Sequence, residues 1–304
     1  MQTTAASTHP AFDVVVIGGG PAGLVAATYL ARFRRTVCVV DAGRSRLAKI
    51  PRSHNYPGFA EGIAGPQLLL NLREQVARYP IVVEAGDAHR LTHCADGFRI
   101  EWSGGEARAR SVLLATGASD VEPTMPHVAE AVRNGALRYC PVCDGFEVVG
   151  QEVGVIADGP AGVREALYLR DFTDRLTVFL QQGAEAIGDD ERLRMREAGI
   201  RWVDEPIRSI RVWNGRVTIS HRDGESSCDS VYCALGMKVH SDLALQLAAR
   251  VDDSGYLQVD AHQRTSVPSL YAAGDVASGL NQISVAVGAA AIAAAAIHQQ
   301  LRTR

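Results

Sequence analysis

Two cysteines with two residues between them stand in the stretch YCPVCDGFE, at Cys140 and Cys143. At that spacing a pair closes a small disulfide, and with the second cysteine near a helix start its thiolate is stabilised by the positive helix end. The thiolate is the form that attacks a disulfide, and exchange then runs through a mixed disulfide. Zinc competes for any C-x-x-C, but a structural zinc needs two further ligands at compatible spacing. Cys228 and Cys233 have four residues between them, and His221 has no matching partner. Two unreactive cysteines are the remaining alternative. The choice among these depends on what the rest of the chain brings to the pair.

The N-terminal part brings a nucleotide site. In DVVVIGGGPAGLVAATYLAR, an apolar strand (Val14–Ile17) runs into a glycine turn and then a helix with Leu24, Ala27 and Leu30 on one face. Gly18, Gly20 and Gly23 fill the three places of G-x-G-x-x-G, with Pro21 and Ala22 between the last two. The glycines allow the tight turn, the approach of a pyrophosphate and close helix–strand packing. The helix N-terminus offers its free N–H groups to the phosphate. A second apolar run, Thr36–Asp41, ends in an acid where a carboxylate meets a ribose hydroxyl.

Three later motifs give the dinucleotide its name. VLLATGA (Val112–Ala118) and SLYAAGDVA (Ser269–Ala277) read as strands ending in small-residue turns, and NYPGF occupies Asn55–Phe59. In this order they resemble the thioredoxin-reductase-like branch of the FAD-dependent pyridine nucleotide-disulfide oxidoreductases, from about Asp13 to His298. That resemblance implies an α/β fold of two Rossmann-like three-layer domains, the second inserted in the first. The expected division is 1–117 with 237–304 for FAD and 118–236 for the inserted domain.

The resemblance also implies site roles. FAD is expected on Gly18, Gly20, Pro21, Ala22, Gly23, Asp41, Asn55, Thr116, Gly117, Gly274, Asp275, Gln282 and Ile283. Gly274–Asp275 hold the ribityl chain and phosphate, and the Asn55 loop borders the isoalloxazine ring. Cys143 exchanges electrons with the flavin, Cys140 with the substrate, and Asp144 is the proton donor and acceptor. A homodimer acting on a thioredoxin-like protein or a small-molecule dithiol or disulfide is expected.

The inserted segment contains VIADGPAG (Val155–Gly162), which aligns without a gap on VIGGGPAG (Val16–Gly23). Strand Val153–Ala157, helix Val163–Phe172 and strand Leu176–Leu180 are expected around it. Three features count against NADPH there. Ala157 puts a methyl where the tight turn takes glycine. Asp158 places a carboxylate beside the expected pyrophosphate, where like charges about 4 Å apart repel by roughly 4 kcal/mol at an effective dielectric of 20. The second strand runs into QQG (Gln181–Gly183), with no guanidinium for a 2′-phosphate and no acid for an NADH ribose. Relatives with damaged NADPH motifs use ferredoxin, a second flavin, or oxygen as the acceptor in dithiol oxidation. A conventional NADPH-dependent reductase and a non-catalytic flavin redox sensor stand as alternatives.

Composition sets the outer bounds. The 304 residues suffice for two domains, and 47% apolar with 21% charged residues describes a globular chain. A net charge of −3 implies no general affinity for nucleic acid or anionic membrane. The start, MQTTAASTHPAF, lacks the pattern of a secretory signal, and Val285–Ile297 reads as a buried helix, too short to span a bilayer. A cytoplasmic protein is expected. Cys38 and Cys233 read as buried strand residues, and Cys94 and Cys228 as members of polar connections. The basic clusters Ala31–Arg35 and Arg44–Lys49 read as solvated faces.

Overall fold

A computed structural model describes residues 12–303. The N-terminal stretch read for a secretory leader lies, up to residue 11, outside the described residues. The first elements in chain order are Phe12–Ile17 (β1), Pro21–Arg32 (α1), Val37–Asp41 (β2), Gly65–Val76 (α2), Ile81–Ala85 (β3), Ala88–Cys94 (β4), Gly97–Trp102 (β5) and Gly105–Leu114 (β6). Next come Ala118–Asp120 (β7), Val128–Arg133 (α3), Leu137–Arg138 (β8), Pro141–Asp144 (α4), Val153–Ala157 (β9), Pro160–Leu169 (α5), Leu176–Leu180 (β10) and Asp189–Glu197 (α6). The rest are Arg201–Val203 (β11), Ser209–Trp213 (β12), Arg216–His221 (β13), Gly224–Cys228 (β14), Ser230–Ala234 (β15), Met237–Val239 (β16), Asp242–Leu245 (α7), Leu270–Ala272 (β17) and Ile283–Arg302 (α8).

These strands form four sheets, two of them large and built on parallel strands. The first has the order β3-β2-β1-β6-β5-β4, with β17 also pairing β6. β6 pairs with β1 along one edge and, being long, serves two neighbours on the other: its first half pairs antiparallel with β5, and Val112–Leu114 pair parallel with β17. Alternation along β1 decides the layers. Val14 and Val16 pack with Ala27 and Leu30 of α1 and with Ala290, Ala294 and Ile297 of α8, while Val15 and Ile17 join the core on the opposite face. The second sheet, β11-β10-β9-β15-β8, is wholly parallel. Val155 and Ala157 face α5 and α6, and Ile156 faces the antiparallel β12-β13-β14 sheet. The antiparallel pair β7 and β16 lies at the two crossings between the sheets.

Several expectations are refined. α5 begins at Pro160, three residues early, because proline at the first turn has its φ preset and lacks an N–H that would go unpaired there. Cys94 ends β4, and Cys228 is a buried residue of β14, so neither lies in a connection. α8 runs for 20 residues, longer than the alanine-rich run alone, and is long and apolar enough to cross a bilayer. Its Ala290, Ala293, Ala294 and Ile297 are nonetheless buried in the core shared with α1, leaving Val285 and Ile292 on the outer face.

The two glycine turns solve the same problem differently. Gly18 takes φ +113, and a Cβ there would overlap the Ala115 carbonyl oxygen. Ala157 instead stays in the strand, paired with Leu180 and Ala234, and the left-handed residue is Gly159 at φ +100. The methyl of Ala157 fills the space that a side chain at Gly162 would need. Gly18→Ala is therefore expected to cost about 2 kcal/mol or more and to lose flavin. The aligned change Ala157→Gly should cost less than about 1 kcal/mol. Chemical denaturation of the two variants, with flavin retention measured in parallel, checks the contrast.

Candidate active site

The glycine turn after β1 opens one end of a cavity of about 940 Å³ that reaches the redox pair. Gly20 caps α1 and Pro21 opens it. Gly23 packs so closely on the Gly18 carbonyl that a Cβ would overlap it, and Gly274, at φ +79, lies against Ala22. Asp41 at the end of β2 accepts hydrogen bonds from the Gly19 and Gly43 N–H groups at 3.1 and 3.0 Å. Thr116 donates to the His240 carbonyl at 2.6 Å, and the His240 N–H donates to the Gly117 carbonyl at 3.0 Å. Both residues thus sit where the two crossings meet the cavity. Ser45 Oγ on the cavity wall is buried and unpartnered. A polar wall with an unsatisfied hydroxyl, a glycine cradle and an acid at the second strand fits a dinucleotide of FAD size.

Arg46 lies in a basic run that reads from sequence as a solvated face, and the structure turns it toward the cavity instead. Its guanidinium makes a two-pronged contact with Asp120 at 2.6 and 2.9 Å and reaches Asp275 at 3.3 Å. Burial disfavours its charge, but the two carboxylates outweigh burial and raise its pKa. Asp275 is pushed up by burial, against the pull of Arg46. Lys49 pairs with Glu122 at 2.9 Å beside it. The only sequence signal for this hub was an arginine three residues past an Asp-Ala-Gly turn; both partners lie far away in the chain.

The redox pair is closed: Cys140 and Cys143 are joined by a 2.07 Å bond, so neither sulfur is free for a metal. Cys140 is the N-cap of the one-turn α4 and Cys143 lies within it, so the first cysteine, not the second, stands at the helix start. Gln282, the N-cap of α8 just before Ile283, approaches Cys143 Sγ at 3.2 Å and Cys140 Sγ at 3.5 Å through Nε2. Its Oε1 accepts from Asn55 Nδ2 at 2.9 Å, and Asn55 also reaches the Val142 carbonyl at 3.4 Å. Asp144 follows directly. Burial pushes its carboxyl up from the usual range, opposed by Arg138 and by the Tyr232 hydroxyl, while Glu147 adds to the rise.

The second glycine turn offers less to a phosphate. Asp158 is exposed at its tip, and the nearest atom to a Cβ on Gly159 is the Ala186 carbonyl oxygen, at 3.7 Å. α6, which follows, begins with Asp189, Asp190 and Glu191. Arg192 is held by Asp204 at 2.7 Å and by the Ala184 carbonyl at 2.6 Å. The turn itself thus carries one exposed carboxylate, at Asp158, and has the Ala186 carbonyl oxygen near Gly159.

The sequence profile of the pyridine nucleotide-disulphide oxidoreductase family matches residues 12–290. The chain is 28% identical to the thioredoxin reductase of Bacillus subtilis (strain 168), over 96% of this chain and 95% of that protein. The structure of thioredoxin reductase from Streptococcus pyogenes MGAS5005 superposes with a TM-score of 0.89 at 27% identity, covering 97% of this chain and 99% of the other. The atypical thioredoxin reductase TRi from Desulfovibrio vulgaris Hildenborough is 33% identical with a TM-score of 0.54, over 96% and 98% of the two chains.

Glu165 on α5 yields a pH prediction. Burial and the nearby Asp120 push its carboxyl up to about 7, against the pull of Arg164, and its Oε2 is buried without a partner. A folded-state value above the unfolded one means that its contribution is full below the ordinary glutamate range and lost as pH rises through about 7. Glu165→Gln should therefore raise the unfolding free energy by about 1–3 kcal/mol at pH 8 and leave it nearly unchanged at about pH 4. Denaturant titrations at the two pH values provide the check.

Proposed function

The chain belongs to the pyridine nucleotide-disulphide oxidoreductase family and is a thioredoxin reductase-like flavin disulfide oxidoreductase; from this we propose that it exchanges electrons through FAD and Cys140–Cys143 by a route that does not use NADPH. The observation that carries the second half is the turn Ala157–Gly162. A methyl in the strand, a carboxylate at the tip and a carbonyl oxygen facing Gly159 replace what a pyrophosphate would bind. Ferredoxin and oxygen are the donors or acceptors that suit such a chain; a second flavin would bring a phosphate of its own to the same turn and suits it less.

The residues fit FAD, with the glycine turn and Asp41 at one end of the cavity and Gly274–Asp275 and Asn55 further along it. Bound FAD supplies a two-electron centre for the disulfide. Cys140 is assigned to the substrate and Cys143 to the flavin side. In dithiol oxidation a substrate thiolate attacks Cys140 Sγ, the Cys140–Cys143 bond breaks, and Cys143 leaves as a thiolate. The second substrate thiolate then attacks its own sulfur in the mixed disulfide, releasing Cys140 and completing the substrate disulfide. Disulfide reduction is the reverse. Asp144 takes up and returns the proton of the thiol that reacts.

The substrate is a thioredoxin-like protein or a small-molecule dithiol or disulfide. We assign residues 1–117 and 237–304 to the FAD domain and 118–236 to the inserted domain. Two copies are proposed to associate, and Val285 and Ile292 on the outer face of α8 suit such a contact. A cytoplasmic location accords with the buried free thiols Cys38, Cys228 and Cys233, each raised by burial to about 12, 11 and 12 respectively.

Cysteine variants test the assignment. Cys143→Ser should trap a mixed disulfide between Cys140 and a thioredoxin that lacks its resolving cysteine and is activated as its thionitrobenzoate disulfide, thionitrobenzoate being the leaving group, and turnover should fall at least about 1,000-fold. Cys140→Ser should trap none. Trapping through Cys143 in the Cys140→Ser protein would reverse the two roles. Asp144→Asn is expected to slow exchange by about 100-fold or more, read by stopped-flow thiol–disulfide exchange.

A further inference from the structure

Asp144 is approached from two strands. Arg138 ends β8 and Tyr232 lies in β15, and the two are register partners in the parallel pairing of those strands. Register partners on neighbouring strands project to the same face, so the guanidinium and the phenol stand side by side. Both reach the same carboxylate. Arg138 Nη1 donates to Oδ2 at 2.7 Å, and the Tyr232 hydroxyl donates to Oδ1 at 2.7 Å and to the Asp144 carbonyl at 3.0 Å. Tyr232 is fully buried, and the Arg138 side chain is 17% exposed.

A second observation separates this contact from an ordinary surface ion pair. Arg138 Nε is buried and has no partner, a cost the fold carries with the guanidinium in this position. Arg138, Asp144, Cys140 and Cys143 all line the one cavity. The geometry points to Arg138 and Tyr232 as positioning residues: a two-sided clamp that holds the Asp144 carboxyl beside the redox pair and sets the pH at which it exchanges a proton with a cysteine thiol. This rests on the proposed role of Asp144. The step is a proton transfer only: the thiol becomes a thiolate as the carboxylate becomes a carboxylic acid, and the reverse reaction returns the proton.

The sign of the effect follows from the surroundings. The charged and titratable groups facing Asp144 are Arg138 from β8, Tyr232 from β15 and Glu147 in the turn after α4. Arg138 and the Tyr232 hydroxyl favour the carboxylate, whereas burial and Glu147 favour the acid. Removing either arm leaves burial less opposed, so Asp144 holds its proton to higher pH. Arg138→Lys retains the charge and should restore most of the wild-type behaviour.

The test is a carbon-13 NMR titration of aspartate-labelled oxidised holoenzyme, with the Asp144 signal assigned by its loss in Asp144→Asn. The titration midpoint should move up by roughly one pH unit or more in Arg138→Gln, by less in Tyr232→Phe, and return toward wild type in Arg138→Lys. The limb of the exchange rate–pH profile that belongs to Asp144 should move with it. Melting temperature and flavin retention identify a variant that fails to fold, and Tyr232→Phe, which only removes a hydroxyl, carries the test if Arg138→Gln does fail. Midpoints that stay in place in folded variants, while Asp144→Asn still slows exchange, would overturn the clamp alone. An exchange profile unaltered by Asp144→Asn would overturn the role of Asp144 itself.

Discussion

The site depends on a partly buried guanidinium shared between two carboxylates. Arg46 lies where three parts of the chain meet: its own loop after β2, Asp120 on the first crossing strand, and Asp275 in the turn after β17. Partly buried charges of this kind hold together best when paired, because removing one partner leaves the others poorly solvated and unpaired. The constraint ties the end of the cavity wall to the strand that leads into residues 118–236. Lys49 and Glu122 repeat the tie closer to solvent, where it contributes little. With the crossing strand anchored, β8 and α4 follow, and the disulfide comes to rest against Gln282 and Asn55.

The same frame explains how the second glycine turn changed without harm to the fold. What the second sheet requires of β9 is an apolar strand and a close helix, and Ala157 satisfies both by remaining in the ladder and packing under Gly162. The tight turn is then made one step later, by Gly159. Stability therefore places no demand for glycine at position 157. Phosphate binding does, and the proposed function takes this turn to be free of that demand.

Much of this was legible in local pattern. β9 and β10 have the bounds that their apolar runs predict, and the G-x-G-x-x-G turn, Asp41 and the redox pair lie together on one cavity as their motifs imply. The residues that escaped are those whose meaning lies in a distant partner. Arg46 meets Asp275 across 229 positions, and Tyr232 meets Asp144 across 88. A lone arginine in a basic run and a tyrosine in an apolar strand carry no sign of such contacts. Local propensity also placed Cys228 in a connection, because the serines before it mask a short edge strand whose alternation buries only the cysteine.

The central claim is that the turn Ala157–Gly162 does not serve NADPH. The measurement that tests it most directly is anaerobic mixing of the oxidised flavoprotein with NADPH, followed at the flavin absorption band, with a dithiol and dithionite as controls. The account predicts that the band persists at micromolar NADPH while the controls bleach it. Rapid bleaching by NADPH would contradict it and make the protein a conventional NADPH-dependent reductase.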